Sequence, residues 1–154
     1  MIVKKIKDKI VNTKTLIDVI QEKSNKKVIL TNECFDIIYN GHVNYLEKGD
    51  ILIVGLNSDS SIKKLKGENR PILPEACRMA LLAALESVDY VIVFDDDTPF
   101  ELINTIRPDI YIKGGDYNLD NMLENNIGFK KISVYCKDAK IIQFEDSIST
   151  TQIV

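Results

Sequence analysis

Histidine is all but missing from this chain of 154 residues. His42 is the only one, so any imidazole chemistry rests on that position. Cysteine is scarce too. Cys34, Cys77 and Cys136 are odd in number and lack CxxC spacing, which argues against a disulfide framework or a thiolate zinc site and fits a reducing compartment. A cytoplasmic location is therefore expected. No apolar run approaches the ~18 residues of a membrane span, and the lysine-rich start has no apolar core of the signal-peptide kind. Excess basic charge is also lacking. The formal net charge is -3, against the basic stripe of a general nucleic-acid binder, and the lysines of the first 27 residues alternate with apolar positions like a solvated helix face. Repeats, low-complexity tracts and linkers are absent.

What is present is a large apolar fraction. At 45% hydrophobic, 154 residues suffice for one domain that buries roughly two thirds of its unfolded surface. We divide it into an N-terminal helical segment, 1–27, and a core, 28–154. Short runs rich in β-branched residues fall at 28–31 (VILT), 51–56 (ILIVGL), 90–94 (YVIVF), 109–113 (DIYIK) and 140–144 (KIIQF). Being apolar on both faces, they read as strands buried in a parallel sheet. Helical patterns lie between them. Glu75–Ser87 carries an apolar stripe through Met79, Leu82 and Leu85, a helix is expected over 14–22, and Thr98-Pro99-Phe100-Glu101 has the form of a capping box with proline at the first helical position. Residues 118–138 stay ambiguous, since KKISVYC alternates like a strand while a helix also fits. The alternation predicts an α/β fold with a parallel sheet and right-handed crossovers.

In such sheets ligands bind beyond the carboxyl ends of the strands. The polar stretches fall there: TNECFDIIYNGH, NSDSSIKKLKGENRP, KGGDYN and EDSISTT, each read as a loop. Their contents favour phosphate. Gly41-His42 at a helix start offers backbone N–H groups, a dipole and an imidazole; Lys63, Lys64 and Lys66 add positive charge; Ser149, Thr150 and Thr151 bring hydroxyls to a second helix start.

These residues carry a resemblance. CFDIIYNGH, LIVGLNSDSSIKKLKGENRPI, RMALLAALESVDYVIVFDDDTP, RPDIYIKGGDY and FEDSISTTQI, in that order, resemble the cytidylyltransferase-type nucleotidyltransferase superfamily. Its hallmarks are GxFDxxHxGH near the first strand and a late ISSTxI-like segment. The similarity is greatest to adenylyltransferase domains acting on D-glycero-β-D-manno-heptose 1-phosphate, and it runs from about Lys9 to the C-terminus. It implies a Rossmann-like, five-stranded parallel sheet flanked by helices, with strand order 3-2-1-4-5. The implied activity is adenylyl transfer from ATP, accompanied by Mg²⁺, to a sugar 1-phosphate. Pyrophosphate and an ADP-heptose for lipopolysaccharide synthesis would result.

The resemblance also implies roles. His42, Lys64, Lys66 and Arg78 would be catalytic, with His42 and the backbone around Gly41 on the triphosphate and the cations on phosphates of both substrates. Thr31, Asn32, Cys34, Phe35, Lys113, Gly114, Gly115 and Asp116 would line the nucleotide site, and Ser149, Thr150 and Thr151 would hold its β- and γ-phosphates. Asp36, Asn57 and Asp59 would face the acceptor. No metal ligand is assigned, because Mg²⁺ enters with ATP and keeps much of its water shell. A homodimer and an upstream sugar kinase are the expected partners.

Three departures from the family pattern stand out. Tyr39 occupies a histidine position, Glu33 a glycine position, and the segment after His42 is about four residues short, close to one helical turn. Tyrosine stays neutral near pH 7, and losing one preorganised donor costs about 10²–10³ in rate. A carboxylate at 33 is expected to repel phosphate. Slow turnover is one expectation; a nucleotide- or sugar-phosphate-binding module without turnover, or a relative using CTP or another phosphorylated acceptor such as glycerol 3-phosphate, are the alternatives.

Overall fold

The runs VILTNE and ILIVGLN are buried over nearly their whole length and lie side by side as β1 (Val28–Glu33) and β2 (Ile51–Asn57). Strands without a polar face need cover on both sides, which parallel strands with helical crossovers provide. β3 (Tyr90–Phe94) joins β2, β4 (Ile110–Gly114) joins the other side of β1, and β5 (Asp138–Ile142) joins β4, all in parallel, in the order β3-β2-β1-β4-β5. The structure is a computed structural model and describes residues 5–22, 25–38, 42, 50–114, 136 and 138–142. Most of the ambiguous stretch 118–138 lies outside the described residues, as do residues 143 and 144 of the last expected strand.

Side chains alternate across the sheet as a period of two requires. Val28 and Leu30 enter one core cluster with Ile51 and Ile53; Ile29 enters the other with Leu52 and Val54. The first cluster also takes Leu16 from α2 (Thr13–Glu22), and Leu102, Ile103 and Ile106 from α5 (Phe100–Ile106). The second takes Leu82 and Ala83 from α4 (Glu75–Ala84). Each fully buried Leu or Ile contributes about 1.5–3 kcal/mol, so a short helix is held by its few inward residues. Packing is close at Gly55 of β2, where a Cβ would lie 2.7 Å from a Leu102 methyl and 3.3 Å from Asn32 Cβ.

The N-terminal segment is part of this core. After α1 (Ile6–Lys9) the chain runs along the β3 edge, where Ile10 forms a parallel bridge with Val91 and Val11 N–H donates to Val91 O at 3.0 Å. At the amino ends of the strands one device recurs. The carboxylates of Asp50, Asp89 and Asp109, just before β2, β3 and β4, accept from the backbone N–H of Lys27, Leu52 and Val28, at 3.1, 2.9 and 2.9 Å.

Three expectations need correction. NSDSSIKKLKGENRP is not a loop throughout, because Asp59–Lys66 forms helix α3. Ser58 caps it by accepting from Ser61 N–H, Asp59 and the closing lysines suit its dipole, and Gly67, at φ 97°, ends it with an N–H bond to Lys63 O. Only Ser61 and Ile62 of this helix are buried, so no apolar stripe announced it. The capping box at Thr98 does not form: Pro99 occupies the N-cap and no side chain caps the helix, which puts Thr98 one position too early. Finally, α4 ends at Ala84 and a turn from Leu82 to Val88 replaces its expected last residues.

Candidate functional site

Glu33, Asn57, Phe94 and Gly114 end their strands at one edge of the sheet. Two sets of polar residues meet there, and they differ in how their hydrogen bonds are spent.

The first set braces the edge. Arg78, on the buried side of α4, is 0% exposed. Its Nε donates to Leu73 O at 3.0 Å, Nη1 donates to Cys34 O and Asn57 O at 2.8 Å each, and Nη2 meets Asp59 Oδ1 at 2.7 Å. Four of the five N–H donors of a guanidinium are thereby used, mostly on carbonyls that the loops after β1 and β2 leave unpaired. Arg78 thus braces the loops at this edge. Asp36 is similar. One oxygen accepts from Ile72 N–H at 2.8 Å and Leu73 N–H at 3.0 Å, and the other meets Arg70 Nε at 2.6 Å. Burial would raise its pKa, but the bonds from Leu73, Arg70 and Ile72 outweigh that and hold the carboxyl below the ordinary aspartate value. With 2% exposure it ties the 70–73 loop to the loop after β1.

The two other acceptor candidates are also engaged. Asn57 is buried and donates to Ser61 Oγ at 3.0 Å, while Asp59 spends one oxygen on Arg78. Beside them Ser58 and Ser60 both donate to Asp95. Those two bonds, with the nearby charge of Lys64, lower the Asp95 pKa.

The second set centres on His42, Glu33 and Lys113. His42 is buried, its Nε2 lies 3.1 Å from Glu33 Oε2, and its ring sits 5.2 Å from that of Phe35. Phe35 adopts φ 45°, a left-handed conformation uncommon for a bulky residue, which lets the chain turn sharply out of β1. Lys113, half-buried near the end of β4, donates from Nζ to Asn32 O at 2.9 Å. Asn32 in turn takes the Tyr111 hydroxyl on its side-chain oxygen. Burial chiefly, and Lys66 in addition, lower the Lys113 pKa against the opposing pull of Glu33 and Cys34. Cys34 is kept a thiol, since burial and Glu33 raise its pKa more than Lys66, Lys113 and Arg78 lower it.

The lysines of α3 therefore separate. Lys66 acts on Cys34 and Lys113, whereas Lys64 acts on Asp95. Positions two apart on a helix point to nearly opposite sides, which is why one loop reading could not divide them. Of the remaining sequence candidates, Thr31 is buried and its hydroxyl has no partner among the described residues, and Gly114 is buried at the end of β4. Gly41, Gly115, Asp116, Ser149, Thr150 and Thr151, like Tyr39 and the segment 43–49, lie outside the described residues. Sequence reasoning missed Arg70 and Asp95, whose partners are 34 or more residues away. It also cast Glu33 only as a repulsive group, although a hydrogen-bond partner nine residues on was available. Among the described residues no group of His, Cys, Asp and Glu is placed to hold a metal ion, and no helix is long and apolar enough to cross a membrane.

Known proteins share this arrangement of sequence and fold. A family model described as cytidylyltransferase-like matches residues 30–154. The bifunctional protein HldE of Nitratiruptor sp. is 48% identical over 136 residues, 86% of this chain and 28% of that protein. HldE of Campylobacter curvus is 45% identical over 150 residues, 95% of this chain and 30% of that one. The chain thus spans less than a third of the curated relatives it matches. Among solved structures, a lipopolysaccharide core biosynthesis protein from Thermoplasma volcanium superposes with a TM-score of 0.64 at 28% identity, over 79% of this chain and all of that one. A pantoate-beta-alanine ligase from Francisella tularensis, 11% identical with a TM-score of 0.61 over 94% of this chain and 74% of that one, shares the fold alone.

Proposed function

Because the chain belongs to the cytidylyltransferase-like family of nucleotidyltransferases, we propose that it transfers an adenylyl group from ATP to a heptose 1-phosphate. The products are ADP-heptose, a lipopolysaccharide precursor, and pyrophosphate. The observation that supports this reading is the placing of His42 and Lys113 at the carboxyl edge of the sheet, His42 against Glu33 and Lys113 on Asn32 O, where the charge of Lys66 also acts on Lys113. The extent of identity to the HldE proteins supports the heptose branch.

The chemistry asks little of the protein beyond position and charge. An oxygen of the acceptor phosphate attacks the α-phosphorus in line, the bond to the β-phosphate bridge breaks, and pyrophosphate leaves. Negative charge grows on that leaving group. His42 and Lys66 serve as donors to it, and Lys113, anchored on Asn32 O, sets the positive field at the end of β4. Arg78 and Asp36 keep the loops that present these groups in register. His42 and Lys113 present nitrogen donors, suited to phosphate oxygens more than to a hard cation, so Mg²⁺ enters on the triphosphate. Gly115, Asp116 and the Ser149 to Thr151 hydroxyls complete the nucleotide site, and the domain works as a homodimer fed by a sugar kinase.

One assay tests the reading: pyrophosphate release with ATP or CTP, over heptose 1-phosphate and glycerol 3-phosphate. ATP with the heptose phosphate should be the productive pair, and His42→Ala should lower its kcat by about 10²-fold with a smaller change in KM. A preference for CTP with glycerol 3-phosphate would move the protein to the cytidylyl branch. Absence of release with every pair would leave only a binding module, the reading that the Glu33 contact on His42 favours.

A further inference from the structure

The Glu33 carboxylate sits where an anionic ligand would be expected. Its Oε2 is 3.1 Å from Nε2 of His42, and its charge acts on Lys113 and Cys34, as does that of Lys66. The Glu33 side chain is 18% exposed and that of His42 only 6%, so this contact lies in a partly desolvated place where charges are weakly screened. No backbone N–H bond ties Glu33 down among the described residues, in contrast to Asp36, Asp50, Asp89 and Asp109. A carboxylate whose described partner is an imidazole, with amines close by, is held by the same groups that would hold a phosphate oxygen.

We propose that Glu33 is an internal anion that occupies the phosphate place on His42 in the free protein and must be displaced when a polyphosphate binds. Glu33 is then an affinity-setting residue of the nucleotide site. The consequence has a definite sign. A triphosphate must break the Glu33–His42 contact and settle beside a carboxylate, so removing the charge tightens binding, the reverse of what loss of a ligand contact does. This inference rests on the proposed nucleotide site but not on turnover.

The test uses the 154-residue chain, its Glu33→Gln and Glu33→Gly variants, and metal-free inorganic triphosphate as the probe. Calorimetry gives affinity, and the single histidine lets the imidazole proton signals in NMR report on His42 without assignment. Both variants should bind triphosphate about tenfold or more tightly than the parent. The His42 signals of Glu33→Gln should shift and saturate at correspondingly lower ligand. Glu33→Gln is nearly isosteric, so it keeps the test valid if the glycine variant loses its fold by circular dichroism. Equal or weaker triphosphate binding by Glu33→Gln overturns the inference. So does a variant that loses affinity only for Mg²⁺-ATP, which would make Glu33 a cation contact. Tighter triphosphate binding without any adenylyl transfer upholds the inference while defeating the proposed function. Adenylyl transfer by the parent with an unchanged triphosphate affinity in both variants does the opposite.

Discussion

The two edges of the sheet use the same charged residue types for different ends. At the amino edge, Asp50, Asp89 and Asp109 each accept a backbone N–H from the neighbouring strand. Such carboxylates are committed, and nothing about them asks for a ligand. The carboxyl edge holds committed charges as well, in Arg78 and Asp36, but next to them Lys113 is half-buried with its amine on a single described carbonyl, and burial chiefly lowers its pKa against the pull of Glu33. Burial and charge alone therefore do not separate bracing residues from candidates for ligand contact; what separates them is how much of each charge its described partners take up.

The largest expected effect would break this comparison if it failed. Arg78→Ala strands the carbonyls of Cys34, Asn57 and Leu73 and removes the partner of Asp59. It should lower unfolding free energy in urea by about 3–5 kcal/mol. A loss below about 1 kcal/mol combined with weakened ATP binding would return Arg78 to the ligand contacts.

A smaller effect sharpens it through pH. The folded pKa of Asp36 is lower than its ordinary 3.8, so its contribution to stability is present above that value and fades as pH falls through the lower folded one. Asp36→Asn should therefore cost about 1–3 kcal/mol at pH 7, and the gap should shrink below about pH 3.8. Denaturation midpoints for parent and variant from pH 7 down to pH 3 measure this. A gap independent of pH would mean that packing, not charge, is what Asp36 supplies.

The smallest effect separates two lysines of one helix. Lys66→Ala should raise the KM for ATP about tenfold, with the penalty blunted by salt, while Lys64→Ala changes it less than about twofold. Equal effects would show that α3 contributes a diffuse field and that the division between Cys34 and Asp95 is immaterial to the nucleotide.

Much of the architecture was legible because strands buried on both faces leave a plain trace: VILT and ILIVGL admit few other readings. Helix α3 was less so, since periodicity needs an apolar stripe and α3 buries only Ser61 and Ile62. Its signals, Ser58 and Gly67, were at its ends. The site was legible as a collection of phosphate-seeking residues but not as a division of labour. Arg78 and Lys66 are both cations in the same region of sequence, and only the fold reveals that one is buried on carbonyls while the other stays exposed, its charge acting on Cys34 and Lys113. Glu33 was read only in part, because repulsion from a ligand can be read from sequence but contact with His42 requires the turn at Phe35.

The bridge between Ile10 and Val91 has a consequence for self-association. Among the described strands β3 is the last on its side, and a terminal strand offers backbone groups on which another chain can polymerise. Val11 takes the Val91 carbonyl, and a few residues later Leu16 is locked into the core. An incoming strand that sought this edge would have to peel the N-terminal segment away and draw Leu16 into water, at a cost of about 1.5–3 kcal/mol before its first new bond forms. The opening residues of the chain thus act as a guard against runaway sheet growth.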